Sequence, residues 1–299
     1  MNEQIISRAL GAYLGFACGD ALGATVEFMS PKRIQKHYGV HRDIIGGGWL
    51  ALAPGQVTDD TQMCLALAQA IVDNQGWNLR AVAENFLAWL ESGPVDVGNT
   101  CRRGILRFRD RGELSGEPRD DEAGNGACMR NLPVVLATLQ RPEVFEQWSL
   151  QQSRITHHHP LSDAATLALG TMASLLIGGQ GMEACLEVAS KLVDRFAEFS
   201  FEPYPGRASG FIVDTVQTVL HHFFNSDSFE SCLIATVNQG GDADTTGALA
   251  GMLAGAQYGV DGIPKRWLNQ LDPKVASQIR SQVDALLRLG LAESLEPVA

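Results

Sequence analysis

Glycine recurs every fourth residue at Gly11, Gly15, Gly19 and Gly23, and again at Gly247, Gly251 and Gly255. Positions four apart share one face of a helix, so each row is a stripe without side chains along an otherwise apolar segment. A glycine inside a helix costs about 1 kcal/mol relative to alanine, and a repeated placement needs an offsetting gain. Close approach of another backbone supplies one. The two striped helices are expected to form the tight centre of a bundle and to hold the loops attached to them rigidly.

Most of the chain shares this helical period. Apolar residues fall at i, i+3, i+4 spacing over residues 4–22, 60–74, 78–91, 126–139, 143–153, 161–178, 182–198, 209–224, 228–238, 245–258 and 273–290. Strand-like alternation is scarce. The pattern predicts an all-α fold, a compact orthogonal multi-helix bundle. The least regular stretches are 28–57 and 93–125, rich in Gly, Pro, Asp and Arg; loops this long inside one domain are usually functional. No low-complexity linker divides the chain, so one domain over 1–299 is expected. A chain of 299 residues buries roughly three quarters of its unfolded surface and needs no disulfide or structural metal to fold.

A formal net charge of −11 argues against a nucleic-acid-binding face, which needs clustered Lys and Arg. Cys18, Cys64, Cys101, Cys128, Cys185 and Cys232 are scattered in apolar helical contexts without a CxxC pair. They read as small buried hydrophobes in a reducing cytoplasm. The N-terminus lacks the pattern of a secretory signal. No uninterrupted apolar run reaches the ~20 residues that span a bilayer, so a cytoplasmic protein without a transmembrane segment is expected.

The chemistry concentrates in two acidic clusters, Thr58-Asp59-Asp60-Thr61 and Asp242-Ala243-Asp244-Thr245-Thr246. Each sits where a glycine-punctuated loop runs into an apolar helical segment. One side-chain oxygen suffices to cap a helix, and each cluster holds several. Carboxylates and hydroxyls in two such similar settings suggest one shared centre for hard cations such as Mg²⁺, Mn²⁺ or Ca²⁺. Adjacent residues at a helix start point in different directions, so neighbouring aspartates can address two ions. Gly240-Gly241 ahead of Asp242 permits an unusual backbone path. Asp96 lies in the irregular segment Ser92-Gly93-Pro94-Val95-Asp96-Val97-Gly98-Asn99, which suits either a catalytic side chain or a turn-forming Asx residue. Asp20, flanked by glycine and apolar residues, reads as a buried structural carboxylate capping a neighbouring loop. The loop Ala123-Gly124-Asn125-Gly126-Ala127 runs into the segment from Met129 to Leu139. Free N–H groups at a helix start there would suit a pyrophosphate. Of His157, His158 and His159, at most one or two can join one site, since consecutive helix residues do not share a face.

Three segments together carry a family resemblance. Gly15-Phe16-Ala17-Cys18-Gly19-Asp20-Ala21-Leu22-Gly23 with Glu27, then Thr-Asp-Asp-Thr at 58–61, then Gly-Gly-Asp-Ala-Asp-Thr-Thr at 240–246, resemble the ADP-ribosylglycohydrolase family in order and spacing. The resemblance covers nearly the whole chain. It implies an all-helical hydrolase with a dinuclear Mn²⁺ or Mg²⁺ centre, ligated by Thr58, Asp59, Asp60, Asp242, Asp244 and Thr245. It implies acid–base or substrate-contacting carboxylates at Asp96 and Glu27. Asn99, Gly124, Asn125, Gly126, His157 or His158, and Phe211 would contact ADP-ribose, with Phe211 stacking on adenine. Segments such as Gly19 to Met29 and His157-His158-His159-Pro160 look most like the branch that acts on ADP-ribosyl-arginine of the nitrogenase iron protein, dinitrogenase reductase. Control by a PII-type nitrogen-signalling protein is a family-level expectation that no motif here carries. The alternatives are a branch acting on ADP-ribosyl-serine or a free ADP-ribose derivative, and a non-catalytic ADP-ribose-binding or structural relative.

Overall fold

A computed structural model describes residues 2–292. Its helices are α1 (Glu3–Gly23), α2 (Pro31–Tyr38), α3 (Asp59–Asp73), α4 (Leu79–Glu91), α5 (Asn99–Arg111), α6 (Leu132–Ala137) and α7 (Pro142–Arg154). There follow α8 (Pro160–Ile177), α9 (Gly181–Arg195), α10 (Ile212–Phe224), α11 (Phe229–Val237), α12 (Ala243–Tyr258), α13 (Lys265–Gln270) and α14 (Pro273–Gly290). Among the described residues there is no strand beyond two isolated bridges, Gly47 with Leu52 and Gly124 with Phe211. The fold is all-α.

The two glycine stripes face each other. Gly11 lies against Gly255, Gly15 against Gly251, Gly19 against Gly247, and Gly23 against Ala243. The descending partner numbers make α1 and α12 antiparallel. A Cβ added at Gly15 would stand 2.5 Å from the Gly251 carbonyl oxygen, and one at Gly247 would stand 2.6 Å from that of Gly19. Every residue from Gly11 to Gly23 and from Ala243 to Ala256 is buried, as expected of helices apolar all round. Helices α3, α8, α10, α11 and α14 pack against this pair, and α4, α5, α7 and α9 pack outside them.

The antiparallel register places the site. It sets the exit of α1, with Glu27 beyond it, beside the start of α12, with Asp242 and Asp244. A reciprocal backbone pair continues the contact: Phe28 N–H donates to the Gly241 carbonyl (2.6 Å) and Gly241 N–H to that of Met29 (2.9 Å). Gly240 and Gly241 both have positive φ, 66° and 62°, and side chains there would strike the carbonyls of Met29 and Ala208.

The structure departs from the sequence reading in the arginine-rich and proline-bearing segments. Residues 31–38 and 99–111, expected to be irregular, are helices. In α5 the core-facing positions are Cys101, Gly104, Ile105 and Phe108, a helical stripe obscured by five arginines. The expected helix over 126–139 shrinks to α6, because Pro133 is tolerated only in a first turn; residues 126–130 form turns. By length and composition α1 and α8 would qualify to cross a membrane, but more than half of each apolar stretch is buried in the core.

Candidate active site

Helix α3 begins at Asp59 without a cap from its own preceding residue. Asp20 of α1 takes that place: it accepts from Thr58 N–H (3.0 Å), Thr61 N–H (3.1 Å) and the Thr61 hydroxyl (2.5 Å). The structural role read for Asp20 is what its contacts show. With the helix start satisfied by a residue from another helix, Asp60 turns toward α12 and Asp59 toward the start of α5, where its Oδ2 accepts from Gly98 N–H (3.3 Å). Thr58 Oγ1 lies 3.0 Å from Asp20 Oδ1 and 3.3 Å from Asp60 Oδ2. Across the gap the Thr245 hydroxyl donates to Asp60 Oδ2 (3.2 Å), so the two sequence clusters meet directly.

Carboxyl oxygens of Glu27, Asp242 and Asp244 all lie within 4.8 Å of one another. With Asp59 and Asp60 they line one cleft of about 410 Å³. No Lys, Arg or His forms an ion pair with any of these carboxylates among the described residues. Burial, then repulsion among the carboxylates, pushes the group upward: Glu27 to about 8, Asp59 to about 7, and Asp60 and Asp244 well above the ordinary range. Asp60 Oδ1 is buried with no hydrogen-bond partner. Clustered, mutually repelling oxygens with an orphaned lone-pair donor fit hard divalent cations.

The opposite wall is made by two elements. Gly124 and Gly126 sit against His157, where added Cβ atoms would stand 3.0 Å from His157 Nε2 and 2.8 Å from its Cε1; only glycine leaves room for the ring. Asn125 is tied to the acidic side, its amide donating to Asp242 Oδ2 (2.5 Å) and to the Thr215 hydroxyl (3.0 Å). The second element is the start of α5. Gly98, Asn99, Thr100 and Cys101 line the cleft; Gly98 N–H donates to Asp59 Oδ2 (3.3 Å), and the N-cap residue makes no side-chain hydrogen bond to the helix that follows. The glycine loop is followed by turns at 126–130, and the next helix starts only at Leu132.

Asp96 is half-buried on the cleft wall, its Oδ1 accepting from Val97 N–H (2.7 Å), and burial raises its pKa. Of the residues expected to contact substrate, Asn99, Gly124, Asn125, Gly126 and His157 line the cleft. His158 does not: its Nδ1 is 2.6 Å from the Gly116 carbonyl oxygen, and its ring borders a separate hollow beside Arg154 and Pro160. Its neighbour His157 takes the inward direction, which leaves His158 facing away. Phe211 is exposed beside the cleft, its backbone paired with Gly124. Phe28 and Trp49, which the sequence reading missed, overhang the acidic side with rings 5.4 Å apart. Trp49 Nε1–H donates to Glu27 Oε2 (2.6 Å).

Comparison with known proteins finds similar chains along nearly the whole length. The ADP-ribosylglycohydrolase family matches residues 1–296. An ADP-ribosyl-[dinitrogen reductase] glycohydrolase of Rhodospirillum rubrum is 60% identical, covering 96% of this chain and 98% of the relative. The ADP-ribosylarginine hydrolase Tri1 of Serratia proteamaculans (strain 568) is 31% identical over 90% of this chain and 76% of its own length. A solved structure described as an ADP-ribosylglycohydrolase-related protein complex superposes with a TM-score of 0.87 at 31% identity, covering 97% of this chain and all of that one.

Proposed function

Because the chain belongs to the ADP-ribosylglycohydrolase family, we propose that it hydrolyses the N-glycosidic bond between ADP-ribose and an arginine of a modified protein. The target in this reading is dinitrogenase reductase, and the compartment is the cytoplasm. The observation that carries the proposal is a cleft in which five carboxylates converge without a basic partner, in a chain 60% identical to an ADP-ribosyl-[dinitrogen reductase] glycohydrolase.

Asp59, Asp60, Asp242, Asp244, Thr245 and, through its contact with Asp60, Thr58 would hold two divalent cations, Mn²⁺ or Mg²⁺. Glu27, grouped with Asp242 and Asp244, belongs with these residues as much as with the proton chemistry. When bound, the cations would fix ribose hydroxyls and offset the surrounding negative charge. The residues themselves account for the rest. The uncapped start of α5 and the His157 wall receive the pyrophosphate. Trp49 and Phe28 cover the acidic side and limit access of water. Asp96, on a loop outside the ligand set, exchanges protons with the attacking water and the departing guanidine as water adds to the anomeric carbon and the C–N bond breaks.

The test is to incubate the protein with arginine-ADP-ribosylated dinitrogenase reductase and with a serine-ADP-ribosylated protein, with Mn²⁺ or after chelation. Metal-dependent release from arginine alone supports the proposal. Release from serine alone redirects it within the family, and release from neither leaves a binding or structural relative. A PII-type regulatory partner goes with the same reading; co-purification with such a protein is its own test.

A further inference from the structure

Arg130 is completely buried and has no carboxylate partner. A buried charge is costly unless it is paired or fully hydrogen-bonded. The guanidinium is held by dipoles instead. Its Nε donates to Gln152 Oε1 (2.8 Å), and one terminal nitrogen donates to the Gln152 carbonyl (2.9 Å) and to Thr156 Oγ1 (2.8 Å). The other terminal nitrogen approaches Cys101 Sγ (3.6 Å), and the group lies 4.6 Å from the centre of the Phe86 ring. Through these contacts Arg130 reaches both walls of the cleft. Cys101 belongs to α5, and Gln152 also donates to the carbonyl of Ala127 at the end of the glycine loop (3.0 Å).

The contact with Thr156 has a directional consequence. Arginine can only donate, so Thr156 Oγ1 accepts from it. The same oxygen lies 2.7 Å from His157 Nδ1, and no other acceptor for the Thr156 hydroxyl occurs among the described residues. Accepting from Arg130 still leaves the oxygen a second lone pair, but the hydroxyl proton has one acceptor within reach, His157 Nδ1. That nitrogen is then an acceptor, and the ring proton sits on Nε2, the atom beside Gly124 and Gly126. We infer that Arg130 is a positioning residue which, through Thr156, fixes His157 as the Nε2–H tautomer and so presents a permanent hydrogen-bond donor to an anionic or hydroxyl oxygen of the substrate.

Two further observations agree. Burial and the neighbouring Arg130 charge hold His157 well below its ordinary pKa, so the ring is neutral and has one proton to place. Gly104 lets α5 pack against the chain at Ile155 and Thr156, where a Cβ would meet the Ile155 carbonyl oxygen at 2.5 Å, so the relay has little room to rearrange. The inference rests on reading the cleft as an ADP-ribose site, but its central measurement does not require turnover.

The experiment is ¹⁵N–¹H correlation spectroscopy of histidine-labelled protein, with His157 assigned by its loss in His157→Asn. Proton on Nε2 and a bare Nδ1 are expected. Thr156→Val, which keeps the shape and removes the hydroxyl, should abolish the single tautomer and weaken calorimetric ADP-ribose binding by about tenfold, the loss of one charge-assisted hydrogen bond. Mn²⁺ affinity should not change, and Thr156→Ser should restore both properties. Arg130→Met should follow Thr156→Val if it folds. A proton on Nδ1 in the parent protein, or equal ADP-ribose affinity in the valine and serine variants, overturns the inference. Failure of the parent to bind ADP-ribose at all would sink the functional reading instead, and the spectrum would still decide the tautomer.

Discussion

Gly15→Ala should destabilise this protein, reversing the usual sign of the substitution. At an ordinary helix-interior site the exchange gains about 1 kcal/mol. Here the new methyl group would stand 2.5 Å from the Gly251 carbonyl oxygen and 2.8 Å from Cε2 of Phe229. That is roughly 0.8 Å short of the ~3.3 Å at which carbon and carbonyl oxygen ordinarily meet. The Phe229 ring can tilt, but the carbonyl is part of a buried helix and moves only with α12. Overpacking costs about 1–3 kcal/mol, and a backbone obstacle puts this site near the upper end. After the propensity gain, a net loss of about 2 kcal/mol remains, a fall in Tm of about 3 °C for a chain of 299 residues. The loss should reach the site as well, since the same interface sets Glu27 beside Asp242 and Asp244; Mn²⁺ affinity should fall with stability. Circular-dichroism melts of chelated protein and Mn²⁺ calorimetry read the two effects. An alanine variant as stable as the parent, or more so, would refute the claim that backbone contact fixes the α1–α12 register.

Asp96→Asn should lower kcat by about 10²-fold or more, the usual size of a general acid–base contribution, with Mn²⁺ binding by calorimetry unchanged; full activity removes Asp96 from the mechanism. Asp60→Asn should weaken Mn²⁺ binding and raise the metal concentration needed for half-maximal rate, and an unaltered isotherm would show that the orphaned Oδ1 is not a ligand atom. The chelated protein should lose stability as pH rises from about 4 to 8. Glu27 (about 8), Asp59 (about 7) and Asp20 (about 6) keep protons in the folded state that the unfolded chain has already released, so the unfolded state binds fewer protons and unfolding becomes easier. Saturating Mn²⁺ should flatten or invert that slope, and urea titrations across the range would reveal a chelated protein that instead grows more stable.

The elements legible in the sequence were those with one dominant physical signal. The glycine stripes announced close backbone packing because nothing else offsets so many helix-interior glycines, although the sequence did not say that the stripes face one another. The acidic doublets announced a common centre because their chemistry exceeds what a cap requires. Helix α5 was hidden because its stripe of Cys101, Gly104, Ile105 and Phe108 is narrow and its other face is charged. Phe28 and Trp49 gave no period to follow: Phe28 takes a positive φ of 58°, and both are exposed aromatics in an irregular segment. Arg130 could not be placed either. A single arginine in an apolar stretch reads as a solvated end, and only the fold shows Gln152 and Thr156 closing around it. The histidine run lies between α7 and α8 and not on a helix, so helix geometry could not choose among its rings; that His157 lines the cleft and His158 does not follows from the turn at residues 153–157.

The acidic centre and the glycine interface are two halves of one constraint. Carboxylates clustered in one cleft repel one another, so their own charges do not draw Glu27 toward Asp242 and Asp244 in the absence of cations. The force that brings them together is generated along α1 and α12, where apolar burial and backbone contact favour a single register. Asp20 performs the same service for the cluster at 58–61, since capping α3 from another helix relieves Asp59 and Asp60 of that task. The cleft is thus assembled by groups that do not bind the ligand, and its carboxylates are left without a basic partner inside the fold, protonated or repelling one another. Cation binding should therefore add to stability by relieving repulsion that folding has already imposed, without having to organise the site. This predicts that added Mn²⁺ raises Tm while leaving the helical circular-dichroism signal of the folded protein unchanged. A metal-dependent gain of helix would mean that the α1–α12 interface is too weak to assemble the site alone.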